Sequence, residues 1–314
     1  MESDRNNSDV MKTEKVLKES LAKWIASHRE HLSPETLRLL ANVITDDFAS
    51  LLNTEPFHKL QTSGVCKECI RRGITGKDFS DSFKTWAREI LNGRPMPMSK
   101  YDQAPVPAEQ AFLNIAYLLS NISDESTFAF LGDDDFHSLL LAKLLPKLSI
   151  TVFEADIRVA STISEIAERE SLNVSVVEAD MRDGIPDTYH GQFNAFYSDP
   201  PYSESGILLF LYRGITLLIN QRASWGVIAV PFTSLPLGVR NMLLVVQKYL
   251  IQNGFLVEES IPFFKQSQSP LGIISGIMKC QRIHVQSIKP PPKTSNIYEH
   301  FYGLPHDKLG NKGN

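Results

Sequence analysis

Acidic residues grouped in four short motifs carry the chemistry legible in this chain. They are Gly132-Asp133-Asp134-Asp135, Glu154 with Asp156, Asp180-Met181-Arg182-Asp183, and Asp199-Pro200-Pro201-Tyr202. A first nucleotide-binding turn normally carries several glycines, so that backbone can approach a phosphate. Here one glycine precedes three carboxylates, which disfavours phosphate. Three adjacent anions repel and need a cation, a metal or water; alternatively one Asp caps the helix that begins at Phe136 and the others are solvated. Glu154 lies about 22 residues past Gly132, where a carboxylate accepts both ribose hydroxyls; the plain alternative is a solvated loop acid. Asp180 suits an adenine amino group with Met181 packed on the ring, or else Asp183 simply pairs with Arg182 at the surface. In Asp199-Pro200-Pro201-Tyr202 the prolines remove backbone donors and keep the chain extended. Free carbonyls and the Asp199 carboxylate can then accept from an amine, with the Tyr202 face beside a cation. A rigid turn with a packing tyrosine is the competing reading. His137 reads as an exposed histidine at a helix start. Cys66 and Cys69 offer half a zinc site, but structural zinc wants four ligands and Cys280 is the one cysteine left, so no metal is expected.

These motifs need elements that bring them together. Past Pro107 the sequence alternates strand and helix patterns. Strands are expected over 127–131, 150–153, 174–177, 193–198, 226–231, 255–259 and 273–279, and helices over 136–145, 159–170, 205–219 and 237–252. That alternation argues for a Rossmann-like, doubly wound parallel α/β sheet, methyltransferase-like in class, with each acidic motif at the carboxyl end of a strand. In such sheets the first and fourth strands are commonly neighbours, so Asp135 and Asp199 can face one pocket. Before it, apolar spacing marks helices near 16–28, 33–44 and 79–91, a small helical domain of the kind that often ends in a winged hairpin. The expected organisation is an N-terminal helical domain over 1–93, a proline-rich linker over 94–107, a catalytic domain over 108–290 and a tail over 291–314. The 314 residues suggest about two domains at roughly 150 residues each. With 42% apolar and 22% charged residues the chain reads as an ordinary globule. No apolar run reaches the roughly 18–20 residues of a membrane span, the acidic start is not a secretory signal, and three cysteines suit a reducing cytoplasm. A net charge of −4 and interleaved acids in the first 100 residues disfavour nucleic acid as the main partner.

In this order the motifs resemble those of the branched-chain polyamine synthases, the N(4)-bis(aminopropyl)spermidine synthases. The similarity covers roughly residues 94 to 284 and is carried by Arg94-Pro95-Met96-Pro97, Tyr101-Asp102-Gln103, Gly132-Asp133-Asp134-Asp135-Phe136, Asp180-Met181-Arg182-Asp183, Asp199-Pro200-Pro201-Tyr202 and Arg213-Gly214. The resemblance implies a winged-helix-like domain before a Rossmann-like catalytic one. It also implies transfer of aminopropyl groups from decarboxylated S-adenosylmethionine, as co-substrate, to a polyamine such as spermidine, with 5′-methylthioadenosine released and no tightly bound cofactor. On that reading Asp135 and Asp199, with Asp133 and Asp134, carry the chemistry, and Asp133, Asp134, Pro200 and Tyr202 bind the amine. Gly132, Glu154, Asp180 and Met181 hold the nucleoside. The partner is a small polyamine, with no membrane, and a homodimer is compatible. Charge supports the donor independently: ordinary S-adenosylmethionine carries a carboxylate that the Asp triplet would repel, by about 4 kcal/mol at ~4 Å and an effective dielectric of 20. The alternatives are an S-adenosylmethionine-dependent amino-methyltransferase and a non-catalytic polyamine sensor.

Overall fold

The computed structural model describes residues 79–122, 126–231, 237–266, 274–291 and 297. The expected helices near 16–28 and 33–44, the winged hairpin and Cys66 and Cys69 lie outside them. Apart from 237–241, the described residues belong to one compact unit, 65–232 with 242–314.

Seven strands form one sheet: β1 Thr127–Leu131, β2 Ser149–Glu154, β3 Val174–Glu178, β4 Ala195–Ser198, β5 Trp225–Pro231, β6 Phe255–Gln266 and β7 Ile274–Arg282. Their order is β3-β2-β1-β4-β5-β7-β6. β1 to β5 run parallel, whereas β7 is antiparallel to both β5 and β6. The parallel sheet expected from the sequence therefore ends in an antiparallel pair. The reason is length: residues 267–273 connect β6 to β7 and are too few for the dozen or so that a parallel crossover needs.

Helices cover both faces. α1 Asp81–Asn92, α2 Ala108–Leu119, α3 His137–Leu144 and α4 Ile157–Arg169 pack on one side, while α5 Glu204–Leu217 and α6 Leu237–Gln252 pack on the other. The alternation of β1 shows the division. Phe128 and Phe130 join the core under α1–α4, and Ala129 and Leu131 join the core under α5 and α6. A strand buried on both faces reads as a continuous apolar run, as TFAFL does. Ser80 caps α1 by accepting from the Phe83 amide at 3.2 Å. Phe83, Ala87, Ile90 and Leu91 of α1 then share a core with Phe112 of α2. The last helix that the sequence pattern grouped with the N-terminal region thus packs on the sheet's own helical layer.

β4 carries Asp199, and its position depends on Phe196. That ring lies between Gly226 of β5, its register partner, and Gly214 of α5, and a Cβ at either glycine would overlap the ring. Gly226→Ala should therefore destabilise the protein by about 1–3 kcal/mol, the usual cost of overpacking, measured by urea denaturation. Wild-type stability in this variant would show that the ring has room to move.

Candidate active site

The carboxyl ends of β3, β2, β1 and β4 stand side by side in that order. Adjacent strands lie about 4.8 Å apart, so the ends span roughly 14 Å. The four acidic motifs follow these ends directly, and the fold brings all four to one edge.

Gly132 turns the chain at the end of β1 with φ of 71°, a conformation that favours glycine, and its amide donates to Phe153 O at 2.8 Å. Phe136, just before α3, has φ of 57° and offers no capping side chain. Asp133 does that work from three residues earlier. Its carboxylate accepts from the amides of His137 at 2.8 Å and Ser138 at 3.0 Å. Burial pushes the Asp133 carboxyl well above the usual range, the Asp135 charge adding to it while the hydrogen bonds from Ser138 and His137 oppose it. Of the two sequence readings, the helix cap is the one Asp133 fulfils. Asp134 is half-buried. Asp135 is buried, accepts from the Val106 amide at 2.7 Å and has Arg94 Nη1 at 3.6 Å. His137, expected to be exposed, is instead buried in the first turn of α3, with Nδ1 3.9 Å from Asp135. The turn at Phe136 aims α3 inward, so its first residue meets the core.

Glu154 at the end of β2 accepts from the Asp133 amide at 2.9 Å and the Asp156 amide at 2.8 Å. Burial pushes its carboxyl up, against these amide bonds. The Ala155 amide bonds the same carboxylate and opposes the effect of burial as well. Asp156 caps α4 through the Arg158 amide and pairs with the Arg158 guanidinium. Burial raises its carboxyl, but the bonds from Arg158 and Gln103 outweigh that and hold it low. Past β3, Asp180 and not Asp183 pairs with Arg182. Burial opposes ionisation there too, yet Arg182 holds the carboxyl below its ordinary value. An exposed pair of this kind contributes about 0–1 kcal/mol and yields readily. Met181 is 3% exposed and its side chain lies in the core under α5, while its carbonyl accepts from Arg213 Nε at 3.0 Å. It shapes the loop rather than presenting an exposed face.

Past β4, Asp199 is half-buried and accepts from the Tyr202 hydroxyl at 3.0 Å. Pro200 is buried. Ser203 caps α5 by accepting from the Gly206 amide and donates to the Ile297 carbonyl at 2.6 Å. Residue types gave no role to the segment 94–106, which crosses this edge as a strap. Arg94 staples its two ends, Nε donating to Leu91 O at 2.9 Å and Nη2 to Val106 O at 3.0 Å. Gln103 Nε2 donates to Asp156 at 3.0 Å, and Asp102 accepts from the Tyr202 amide at 3.3 Å. The strap thereby touches the motifs after β1, β2 and β4. The signal for it was present in Arg94-Pro95-Met96-Pro97 and Tyr101-Asp102-Gln103, but spacing alone does not say where a linker folds back. Among the described residues, no group of three or more His, Cys, Asp or Glu is placed to hold a metal ion.

Sheet order and strand-end site define a Rossmann-like, doubly wound α/β protein of the class I methyltransferase-like kind. Residues 78–302 match the family model for the branched-chain polyamine synthase A C-terminal domain, and the chain belongs to that family. It is similar to the N(4)-bis(aminopropyl)spermidine synthase of Methanocaldococcus jannaschii, 35% identical over 51% of this chain and 46% of the relative. It is also similar to that of Thermococcus kodakarensis, 33% identical over 49% and 44%. The chain spans about half the length of the curated relatives it matches. The crystal structure of the branched-chain polyamine synthase from Thermus thermophilus in complex with N4-aminopropylspermidine and 5′-methylthioadenosine superposes with a TM-score of 0.65. The identity is 20%, over 74% of this chain and 72% of that one, and the likeness confirms the fold.

The buried acids make stability depend on pH with a definite sign. An acid whose carboxyl is raised in the folded state contributes most below its unfolded value and loses that contribution as pH rises through the folded one. Glu154 and Asp133 are of this kind. Asp156 and Asp180 are the reverse, and their contribution is lost only as pH falls below the ordinary carboxylate range. Urea denaturation from pH 4.5 to 8 should show stability falling with rising pH, and Glu154→Gln should flatten that fall. An equally steep fall in the variant would mean that Glu154 is not the group titrating.

Proposed function

We propose that this chain is an aminopropyltransferase, moving aminopropyl groups from decarboxylated S-adenosylmethionine to a polyamine such as spermidine. The observation that carries this reading is the row of carboxylates at four adjacent strand ends, with Asp199 bonded to Tyr202. Family membership supports it, as does the ligand pair bound by the Thermus thermophilus enzyme. Glu154 would accept the ribose hydroxyls, and Asp180, released from Arg182, the adenine amino group. Gly132 lets the backbone approach the nucleoside, and Met181 holds the loop beneath it. Asp134 and Asp199, half-buried after β1 and β4, would take the amine, with Pro200 stiffening the turn and Tyr202 beside the cation. Asp133 acts as a cap and Asp135 as a ligand of the strap, both supporting that arrangement.

In the reaction the acceptor nitrogen first loses a proton. Its lone pair then attacks the methylene bonded to the sulfonium in line. The new C–N bond forms as the C–S bond breaks, the bonding pair returns to sulfur, and neutral 5′-methylthioadenosine leaves. The nitrogen carries the positive charge afterwards. Asp199 would orient the amine and help take its proton. Most of the acceleration comes from positioning and from carboxylates matched to the migrating charge.

Incubation of the full chain with decarboxylated donor and spermidine should give aminopropylated product and 5′-methylthioadenosine by mass spectrometry. A methylated product from ordinary S-adenosylmethionine would promote the methyltransferase instead, and tight polyamine binding with no turnover would promote the sensor. Asp199→Asn should lower turnover about 100-fold or more, the usual scale for an acid–base group, and leave 5′-methylthioadenosine binding intact. Glu154→Ala should weaken that nucleoside by about 1–3 kcal/mol, as for a lost charged hydrogen bond, measured by calorimetry. Unchanged affinity with the fold intact would remove Glu154 from the donor site.

A further inference from the structure

A buried polar chain under the strand ends is left unused by the chemistry above. On α2, Gln110 Nε2 donates to Asn114 Oδ1 at 2.9 Å. That bond leaves the Asn114 amide nitrogen to face His137 Nε2, 3.1 Å away. An amide nitrogen donates, so Nε2 accepts and the neutral ring carries its proton on Nδ1. Nδ1 is the ring atom near Asp135 Oδ2, at 3.9 Å. All four residues are at most 6% exposed. From the other side the strap holds the same carboxylate through the Val106 amide and Arg94.

Two buried donors at this place make no hydrogen bond, although one of them, Arg94 Nη1, is ion-paired with Asp135. Arg94 Nη1 and the Tyr197 hydroxyl are buried without a hydrogen-bond partner. The Tyr197 ring packs edge-on against His137, with centroids 5.6 Å apart, and burial, then the charge of Asp135, pushes its hydroxyl well up. Buried polar atoms are nearly always paired, so two orphans around one carboxylate ask for an explanation. At 3.9 Å the His137–Asp135 contact is electrostatic rather than a hydrogen bond. Functional contacts of this sort are often long without ligand and tighten when it binds.

We propose that His137 is a positioning residue for aminopropyl transfer, holding Asp135 from beneath so that Asp135 fixes the strap over the acceptor end of the site. This rests on the transferase reading. The path runs from His137 to Asp135, to Arg94 and Val106, and along the strap to Asp102, whose carboxylate holds the Tyr202 amide beside Asp199. At the donor end the strap reaches Asp156 through Gln103, not Glu154 itself. Glu154 is held by the backbone amides of Asp133 and Asp156, and the His137 group that supports Asp133 is its backbone N–H, which substitution leaves in place.

Two amide variants of the full chain separate this from a packing role. Asparagine puts its amide nitrogen near the Nδ1 position, and glutamine puts its own near Nε2. His137→Asn should keep kcat/KM for spermidine near wild type. His137→Gln should lower it about tenfold or more, since misplacement by about 1 Å can cost 100-fold. Both should bind 5′-methylthioadenosine as wild type does in calorimetry. Equal losses in the two variants, wild-type activity in His137→Gln, or nucleoside affinity falling in step with melting temperature would each overturn the proposal. If the wild-type chain yields no aminopropylated product, the transferase reading fails on its own. The His137 assignment is then decided by spermidine affinity across the same variants, with His137→Gln expected to be the weaker.

Discussion

Carboxylates set side by side at the ends of parallel strands repel one another, and the chain must answer that repulsion before anything can bind. Two unit charges about 5 Å apart at an effective dielectric of 20 cost roughly 3 kcal/mol. The answer is different at each strand end. Asp133 and Glu154 are met by backbone amides, Asp156 and Asp180 by a nearby arginine two residues on, and Asp135 by Arg94 and the Val106 amide. The local sequence provides each partner: a helix start supplies amides, and Asp-x-Arg supplies a guanidinium. Asp199 is met by the Tyr202 hydroxyl.

The strap gives this edge its second constraint. Pro95 and Pro97 remove backbone donors and keep the chain extended, so few local bonds fix it. Its course is set by side chains reaching out: Arg94 to both strap ends, Gln103 to Asp156, Asp102 to Tyr202. Three of the four acidic motifs are thus tied to a segment outside the sheet. Asp102 adopts φ of 58°, an uncommon conformation that Asp tolerates better than most residues, and it turns the strap toward the β4 end. Movement of the strap and the position of the acids are for this reason not independent.

Where burial alternates or is continuous over a short run, the sequence was legible. β1 agrees with its expected 127–131 to the residue and α6 with 237–252. The strand ends could be named because each acidic motif interrupts an apolar run. α2 does not show in the pattern because eight residues of AEQAFLNIAYLL are buried and only Glu109 is exposed, leaving no polar stripe to give a helical period. His137 was misplaced because Phe136 adopts a left-handed conformation, which no residue type announces. The Asp triplet looked like one functional unit in sequence. Its members divide because successive residues in a tight turn point in different directions, one to α3, one to the strap. The pairing of Arg182 with Asp180 rather than Asp183 follows the same geometry, since the Asp180 carboxylate also receives the Arg182 amide.

On the aminopropyltransferase reading proposed above, that division bears on the donor. The amino end of the helix after the first strand is where folds of this kind can receive an anionic group, because its amides point outward unpaired. In this chain two of those amides, of His137 and Ser138, are already bound to Asp133. The protein's own carboxylate fills the anion position. A ligand carrying a carboxylate would compete with a covalently tethered one, and would do so beside Asp134 and Asp135. A ligand with an ammonium in the same place meets attraction from both. On that reading Asp133 would exclude a ligand carboxylate by occupancy, and Asp134 would oppose it by charge. Both effects would act in the same direction, toward the decarboxylated donor that the proposed transferase reading assigns.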